Sequence, residues 1–576
     1  MNGSALRMGA ASRCGRRVGP VAAAALVAVA LAACGGASAG SSSGASGAGA
    51  SAGAGTSGSA SAGTPVNGGT LQAAISSNPD HLDSGLSYAT EGWEILEATG
   101  DGLLGYRKTS GAAGAEIVPD LATSMPTVSD HGLTYTFHMR TGVRFSPPVS
   151  REVEPSDIKF SIERLFRINS GGIGFYSGIA GADRYAKTRK GGISGIVADD
   201  ATHTITFHLT QPDGTFLEYM AIPFAFAVPK GTPNKDISTD AQWRVSTGPY
   251  MITQYVPNDH ITMVRNPNFH SWTPNDPPGH LDQIDIKIGT NPEDAVNQTA
   301  DGQLDWYFEA VPPDRLAELK ARYPSQVHVY PRNDITFFTM NMRKPPFNDL
   351  KVRQAVNYAT DRTALVKIFG GQGTPTENIV PPTLGSSYVK QWPYPYDLAK
   401  AKALVAQSGT KGMTINVWSH STDPVPKAAQ YMASVLDSLG YHAVVKTMDQ
   451  GVYWDTISTE KDDPQMAFVQ FDQDYPEGQD FIDVQLNGER IAPTGNQNQA
   501  NVDIPSLDRQ IDAAREMPLG AARNARWAKI DREFMAYAPW VPFLNRTLPK
   551  FDSPRLHGLV FNGTYYELFT SMWLSK

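Results

Sequence analysis

The segment Thr134-Tyr135-Thr136-Phe137-His138-Met139 alternates polar and apolar side chains between Asp130-His131-Gly132 and Thr141-Gly142. That period of two predicts a half-buried β-strand. Thr204-Ile205-Thr206-Phe207-His208-Leu209 repeats the pattern and predicts its antiparallel partner. Between them, Pro155 to Phe166 reads as a helix: Pro155 suits a first turn, an acid follows, and Ile158, Ile162, Leu165 and Phe166 share one face. Gly69 to Ile75 predicts a strand. Leu350 to Phe369 and Ala428 to Leu439 carry helical spacing, Gly440 stops the latter, and His442 to Lys446 follows as a strand. Helices alternating with short strands give a mixed α/β (α+β) class, its loops punctuated by 41 prolines.

The front of the chain has a different pattern. Arg7, Arg13, Arg16 and Arg17 precede the run Val21–Ala33, 13 residues of Ala, Val and Leu. A membrane span needs about 20 such residues, so residues 1–33 read as a signal peptide. The run ends in Leu31-Ala32-Ala33-Cys34, which resembles a bacterial lipobox, and that resemblance implies lipidation of Cys34. The other reading is an ordinary secretion signal with a spectator cysteine. Arg16-Arg17 hints at twin-arginine export, but its surroundings match poorly and leave the route open. Residues 34–65 form a Gly/Ala/Ser tether that buries no apolar area and spans roughly 30 Å as a random coil. One acyl chain binds membranes only marginally, so a stable anchor needs more than one.

Composition narrows the function. The 576 residues are 41% hydrophobic and 18% charged, with net charge −8, and no basic block exists to neutralise a nucleic-acid backbone. Both cysteines, Cys14 and Cys34, lie in the first 34 residues, so the body has no disulfide, thiolate metal site or cysteine nucleophile.

Five ordered segments carry a resemblance. Pro119-Asp120-Leu121-Ala122 precedes Asp130-His131-Gly132-Leu133-Thr134-Tyr135-Thr136-Phe137 and Arg140-Thr141-Gly142-Val143-Arg144-Phe145. Thr247-Gly248-Pro249-Tyr250 precedes Arg265-Asn266-Pro267-Asn268-Phe269. Gly302-Gln303-Leu304-Asp305, Pro345 to Arg362 and Asp474-Tyr475-Pro476 complete the set. Together they resemble family 5 of the extracytoplasmic solute-binding proteins, the peptide- and nickel-binding group serving ATP-driven importers. The resemblance covers Gly68 to Lys576 and implies a two-lobed type II binding-protein fold that closes on its ligand. It maps lobe I to 66–107, 241–333 and 547–576, an extra subdomain to 108–240 and lobe II to 334–546. The hinge strands would cross near Asn333 and Arg546. Most signature positions, Arg353 and Asp361 among them, are expected to be scaffold.

The resemblance places Asp474 where the family holds a ligand's ammonium group, with Tyr475 and Phe471 beside it. The competing reading is a solvated loop acid, because Asp472, Glu477, Asp480 and Asp483 crowd the segment. No basic residue carries over to pair a peptide carboxylate; Lys461 is a weak candidate. Tyr453, Trp454 and Tyr250, together with Trp306-Tyr307, Trp392, Tyr394 and Tyr396, are expected in loops that could face a cleft and grip side chains or sugar rings. For each alone, core packing is the competing role.

Catalytic motifs fail on inspection. Ser156-Asp157-Ile158-Lys159 matches S-x-x-K without its partner motifs, and Gly40-Ser41-Ser42-Ser43-Gly44 fits G-x-S-x-G only because the tether is Gly and Ser. No H-E-x-x-H occurs, and the calcium-loop-like start at Asp472 breaks down at Pro476 and Glu477. The expectation is a monomeric, lipid-anchored binding protein that delivers a small solute, an oligopeptide first, to an ABC permease without cofactor or metal. An oligosaccharide ligand and an exported hydrolase are the alternatives.

Overall fold

The computed structural model describes residues 64–576 except 460, 462 and 463. The expected signal peptide, Cys34 and all of the tether but Thr64 and Pro65 therefore lie outside the described residues. Three sheets organise the chain. The first has the order Trp306–Tyr307, Thr70–Ile75, Gln283–Ile288, His260–Arg265, Tyr250–Val256, with Thr70–Ile75 parallel to both of its neighbours. Its buried face collects Leu71, Ile252, Met263, Ile284 and Trp306, and the chain's last turns add Phe569 and Met572.

The second sheet has four strands, in the order Thr127–Ser129, Thr134–His138, Thr204–His208, Ile196–Asp199. Thr134–His138 and Thr204–His208 pair antiparallel as the alternation predicted. Their apolar faces, Tyr135, Phe137, Ile205 and Phe207, meet Ile158, Ile162, Leu165 and Phe166 of the helix Pro155–Arg167. That helix begins with a capping box between Glu154 and Asp157, which satisfies donors that would otherwise be orphaned at its start.

The third sheet runs Val327–Pro331, Trp540–Phe551, Asp334–Met340, Met466–Asp472, Thr414–His420, His442–Met448. Helices cover both of its faces, one core built on Phe338, Phe468 and Phe543 and the other on Phe337, Trp527 and Trp540. Burial on both faces explains why Asp334–Met340 has no exposed residue at all. The 12-residue strand Trp540–Phe551 passes along this sheet and pairs with Val327–Pro331 through its second half.

The periodic segment Leu350–Phe369 is two helices, Leu350–Ala359 and Arg362–Ile368. Thr360 is extended between them, and Asp361 caps the second helix by accepting from the Thr363 and Ala364 amides. Arg353 donates to the Phe347 and Tyr537 carbonyls, so both residues serve the scaffold. The helix expected over Ala428–Leu439 starts earlier, at Val425.

One buried ion pair ties the loop ahead of the first helix to the second-sheet layer. Arg164 donates to both oxygens of Asp83, at 2.8 and 2.7 Å, and neither side chain touches solvent. Removing one partner strands a buried charge, so Asp83→Ala is expected to cost about 3–5 kcal/mol in urea denaturation. A loss below about 1 kcal/mol would show the pair to be dispensable.

Candidate functional site

Antiparallel register places Asp334, the first residue of its strand, opposite Asp472, the last of its own. Two carboxylates so placed repel unless cations intervene, and these are Arg546 of the strand Trp540–Phe551 and Arg332, just past the strand Val327–Pro331. Arg546 donates to Asp472 Oδ1 at 2.6 Å and pairs through Nε with Asp334, while its backbone amide donates to Asp334 Oδ1 at 2.8 Å. Arg332 donates to Asp472 Oδ1 at 2.8 Å. Burial pushes Asp472 up, but Arg546 and Arg332 together outweigh it and hold the carboxyl well below the usual range.

Beyond Asp472 the chain enters a small cavity of about 40 Å³, lined by Tyr88, Trp93, Asn333, Gln473, Asp474 and Tyr566 among others. Gln473 bridges it, donating to the Gly563 carbonyl at 3.0 Å and to Thr564 Oγ1 at 3.2 Å. A Cβ on Gly563 would stand 2.4 Å from Asn333 Nδ2, so a side chain here would displace the Asn333 amide. Tyr88 is positioned by a turn in which Asp80 accepts from the Tyr88 and Ala89 amides and from Ser87 Oγ. Trp93 stacks on Tyr88 with ring centroids 6.2 Å apart and donates to the Ser87 carbonyl.

Asp474 is half-buried and pairs with no cation among the described residues, unlike Asp472. Burial pushes its pKa up to about 7, the Tyr88 hydroxyl bond opposes this, and the charge on Asp472 adds to it. Its backbone amide donates at 2.7 Å to Asp480, a fully buried carboxyl also pushed well up by burial and then by Asp474. The next residue, Tyr475, is buried edge-on against Tyr219 and Phe175, with centroids 5.5 and 6.4 Å apart. A cavity of this size holds an ammonium group or a few waters, and a dipeptide enters only if the walls separate.

Comparison with known proteins decides the family. Residues 116–492 match the model of bacterial extracellular solute-binding proteins, family 5. The chain belongs to this family. It is 28% identical to the dipeptide-binding protein of Escherichia coli over 59% of this chain and 64% of that protein, slightly less than two thirds of the relative's length. It is 26% identical to heme-binding protein A of Haemophilus influenzae over 87% and 90% of the two chains. A glutathione-binding protein of Salmonella choleraesuis is 30% identical over 56% and 60%. Among solved structures, clavulanic acid biosynthesis oligopeptide binding protein 2 aligns with TM-score 0.83 at 24% identity, covering 89% of this chain and 96% of its own. A periplasmic binding protein from Helicobacter pylori in complex with the peptide STSA aligns with TM-score 0.70 at 24% identity over 89% and 99%. The shared architecture is the two-lobed type II fold.

Of the other aromatics of this solute-binding protein, Trp392, Tyr394 and Tyr396 lie in a loop as expected, whereas Tyr250, Trp306, Tyr307, Tyr453 and Trp454 lie in strands or a helix. Tyr250 opens a strand, and its hydroxyl accepts from the Leu281 amide in the fully buried space beneath Gly279. Tyr453 lies in the helix Gln450–Ile457 and donates at 2.7 Å to the Phe468 carbonyl, fully buried. Trp454 is half-buried beside His420, and Phe471 packs edge-on against Phe481. None of these four lines the cavity. Trp306 and Tyr307 are buried strand residues, Tyr394 is buried, and Trp392, Tyr396 and Lys461 are exposed. The reasons are local: hydroxyls with backbone partners and helical or strand periodicity commit these rings to cores. Sequence reasoning missed Tyr88, Trp93 and Tyr566 and had Asn333 only as a hinge crossing; all four reach the cavity from distant parts of the chain. Asp80, spaced to cap the turn at Ser87–Ala89, was the available signal for Tyr88.

The raised Asp474 pKa has a stability consequence. Between about pH 4 and 7 the folded chain keeps a proton that the unfolded chain has released, so stability falls as pH rises through this window. Asp474→Asn removes that contribution, and urea midpoints of wild type and variant are expected to converge near pH 4 and separate at pH 8, the variant being the more stable. Parallel pH profiles would contradict it.

Proposed function

We propose that this protein captures a small solute bearing a primary ammonium group, an oligopeptide first, and delivers it to an ABC permease. In this reading residues 66–107, 241–333 and 547–576 form lobe I, 108–240 its extra subdomain and 334–546 lobe II. The strands meeting around Asn333 and Arg546 are the hinge, where a few residues absorb the rotation. The observation that carries the proposal is Asp474: a half-buried carboxylate facing the cavity with no cation beside it, next to an Asp472 that already has two. A peptide's ammonium supplies the missing charge, and closure removes the water that would screen the attraction. Relatives named for dipeptide and glutathione binding support the same ligand class.

Tyr88, Trp93 and Tyr566 would meet the first side chain through ring faces. Tyr475 would stiffen the anchor from behind. The oligosaccharide alternative rested on the aromatics and on the missing carboxylate partner, and of those aromatics Tyr250, Tyr453 and Trp454 do not line the cavity, Trp454 packing beside His420. Binding by closure alone involves no covalent step, no metal and no cofactor. We also propose that Cys34 carries a lipid holding a monomeric body outside the membrane through the 34–65 tether. No helix among the described residues is long and apolar enough to cross a membrane.

A pool of di- to tetrapeptides is expected to raise the melting temperature of the wild-type protein, since only the folded state binds. Asp474→Ala should abolish that rise; an unchanged rise would discard the anchor. Protonation of Asp474 removes the charge the ammonium needs, so peptide affinity should be about tenfold weaker at pH 5.5 than at pH 7.5 by calorimetry.

A further inference from the structure

Far along the chain from the hinge residues, a turn of the second-sheet layer docks onto the third-sheet layer. Arg523, on the helix Ala521–Tyr537, is completely buried. It is gripped by Glu477 through both oxygens, at 2.5 and 2.9 Å, by Gln479 Oε1 at 2.6 Å, and by the carbonyls of Arg515 and Met517. All of these belong to 334–546. The remaining partner does not: Thr215 Oγ1 accepts from Arg523 Nη2 at 2.5 Å and itself donates to Gln479 Oε1.

The neighbours of Thr215 complete the contact. The Gly214 amide donates to the Arg515 carbonyl at 3.0 Å, and Arg515 lies 3.8 Å from Asp213. A Cβ on Gly214 would stand 2.2 Å from the Met517 carbonyl oxygen and 2.3 Å from Arg523 Nη1. Gly214 has no left-handed φ, so alanine suits its backbone, and only the approach of the other layer forbids a side chain.

We propose that the Asp213–Thr215 turn is a latch that holds the two lobes closed and so sets ligand affinity without touching the ligand. The inference rests on the lobe assignment above. Its physical basis is that the closed population multiplies the intrinsic affinity, so a contact made only on closure tightens binding. Residues 472–480 join the parts: Asp472 in the hinge network, Asp474 at the cavity, Tyr475 on the aromatic seam, and Glu477 and Gln479 in the latch. A ligand that fixes Asp474 therefore also fixes the receptor for Thr215, only three to five residues away in sequence.

Gly214→Ala tests this by blocking the approach while leaving each lobe free to fold. In the full chain with Cys14 and Cys34 replaced by serine, spin labels at Lys187 and Lys402, both exposed, report the separation between the subdomain and lobe II. Gly214→Ala is expected to move the distance distribution to longer values, and the isosteric Thr215→Val to do so partially. By calorimetry with the di- to tetrapeptide pool, Gly214→Ala should weaken binding about tenfold. An unchanged distance distribution in Gly214→Ala would overturn the latch, whether or not peptides bind. A pool that fails to bind the wild type would overturn the peptide reading alone, because the distance measurement needs no ligand.

Discussion

Everything at the centre of this protein depends on keeping two carboxylates, Asp334 and Asp472, side by side at the ends of paired strands. Their mutual repulsion is relieved by Arg332 and Arg546, which the chain delivers from opposite ends of its third-sheet excursion. Because Arg546 reaches both acids, the strand Trp540–Phe551 is pinned where it crosses from one pairing partner to the next. Desolvation offsets much of the Coulomb gain of such a buried ion network, so its visible consequence here is the geometry it fixes. The geometry fixed here is the exit angle of the segment that follows Asp472.

That segment shows how environment separates chemically equal side chains. Asp472 and Asp474 are two residues apart, yet one sits between guanidinium groups and the other has only a tyrosine hydroxyl, so their proton affinities move in opposite directions. The first is committed to structure. The second keeps its capacity to respond to a cation arriving from outside, and this asymmetry underlies the proposed recognition of an ammonium group.

How much of this was legible depended on range. The strands at Thr134 and Thr204 and the helix at Pro155 follow from local periodicity, and they fold as read because each buries its apolar face against the others. The 350–369 segment kept its helical spacing, but Thr360 and Asp361 break it, since Asp caps a new helix more readily than it continues an old one. Asp474 was singled out through a resemblance alone, and its position on the cavity wall is what the structure adds. Tyr250 and Tyr453 were misjudged because an aromatic near a signature looks the same whether its hydroxyl meets solvent or a backbone partner. Arg546 was legible only as a hinge crossing, and Arg332 and Thr215 not at all: their partners, Asp472 and Arg523, lie 140 and 308 residues away along the chain.

The wall that closes the cavity over Gln473 comes from Gly563 and Thr564. Those residues follow every strand of the three sheets in chain order. A nascent chain halted before Asn562 would contain the arginines and the acids but not this wall, so the crevice is completed only after all three sheets have been made.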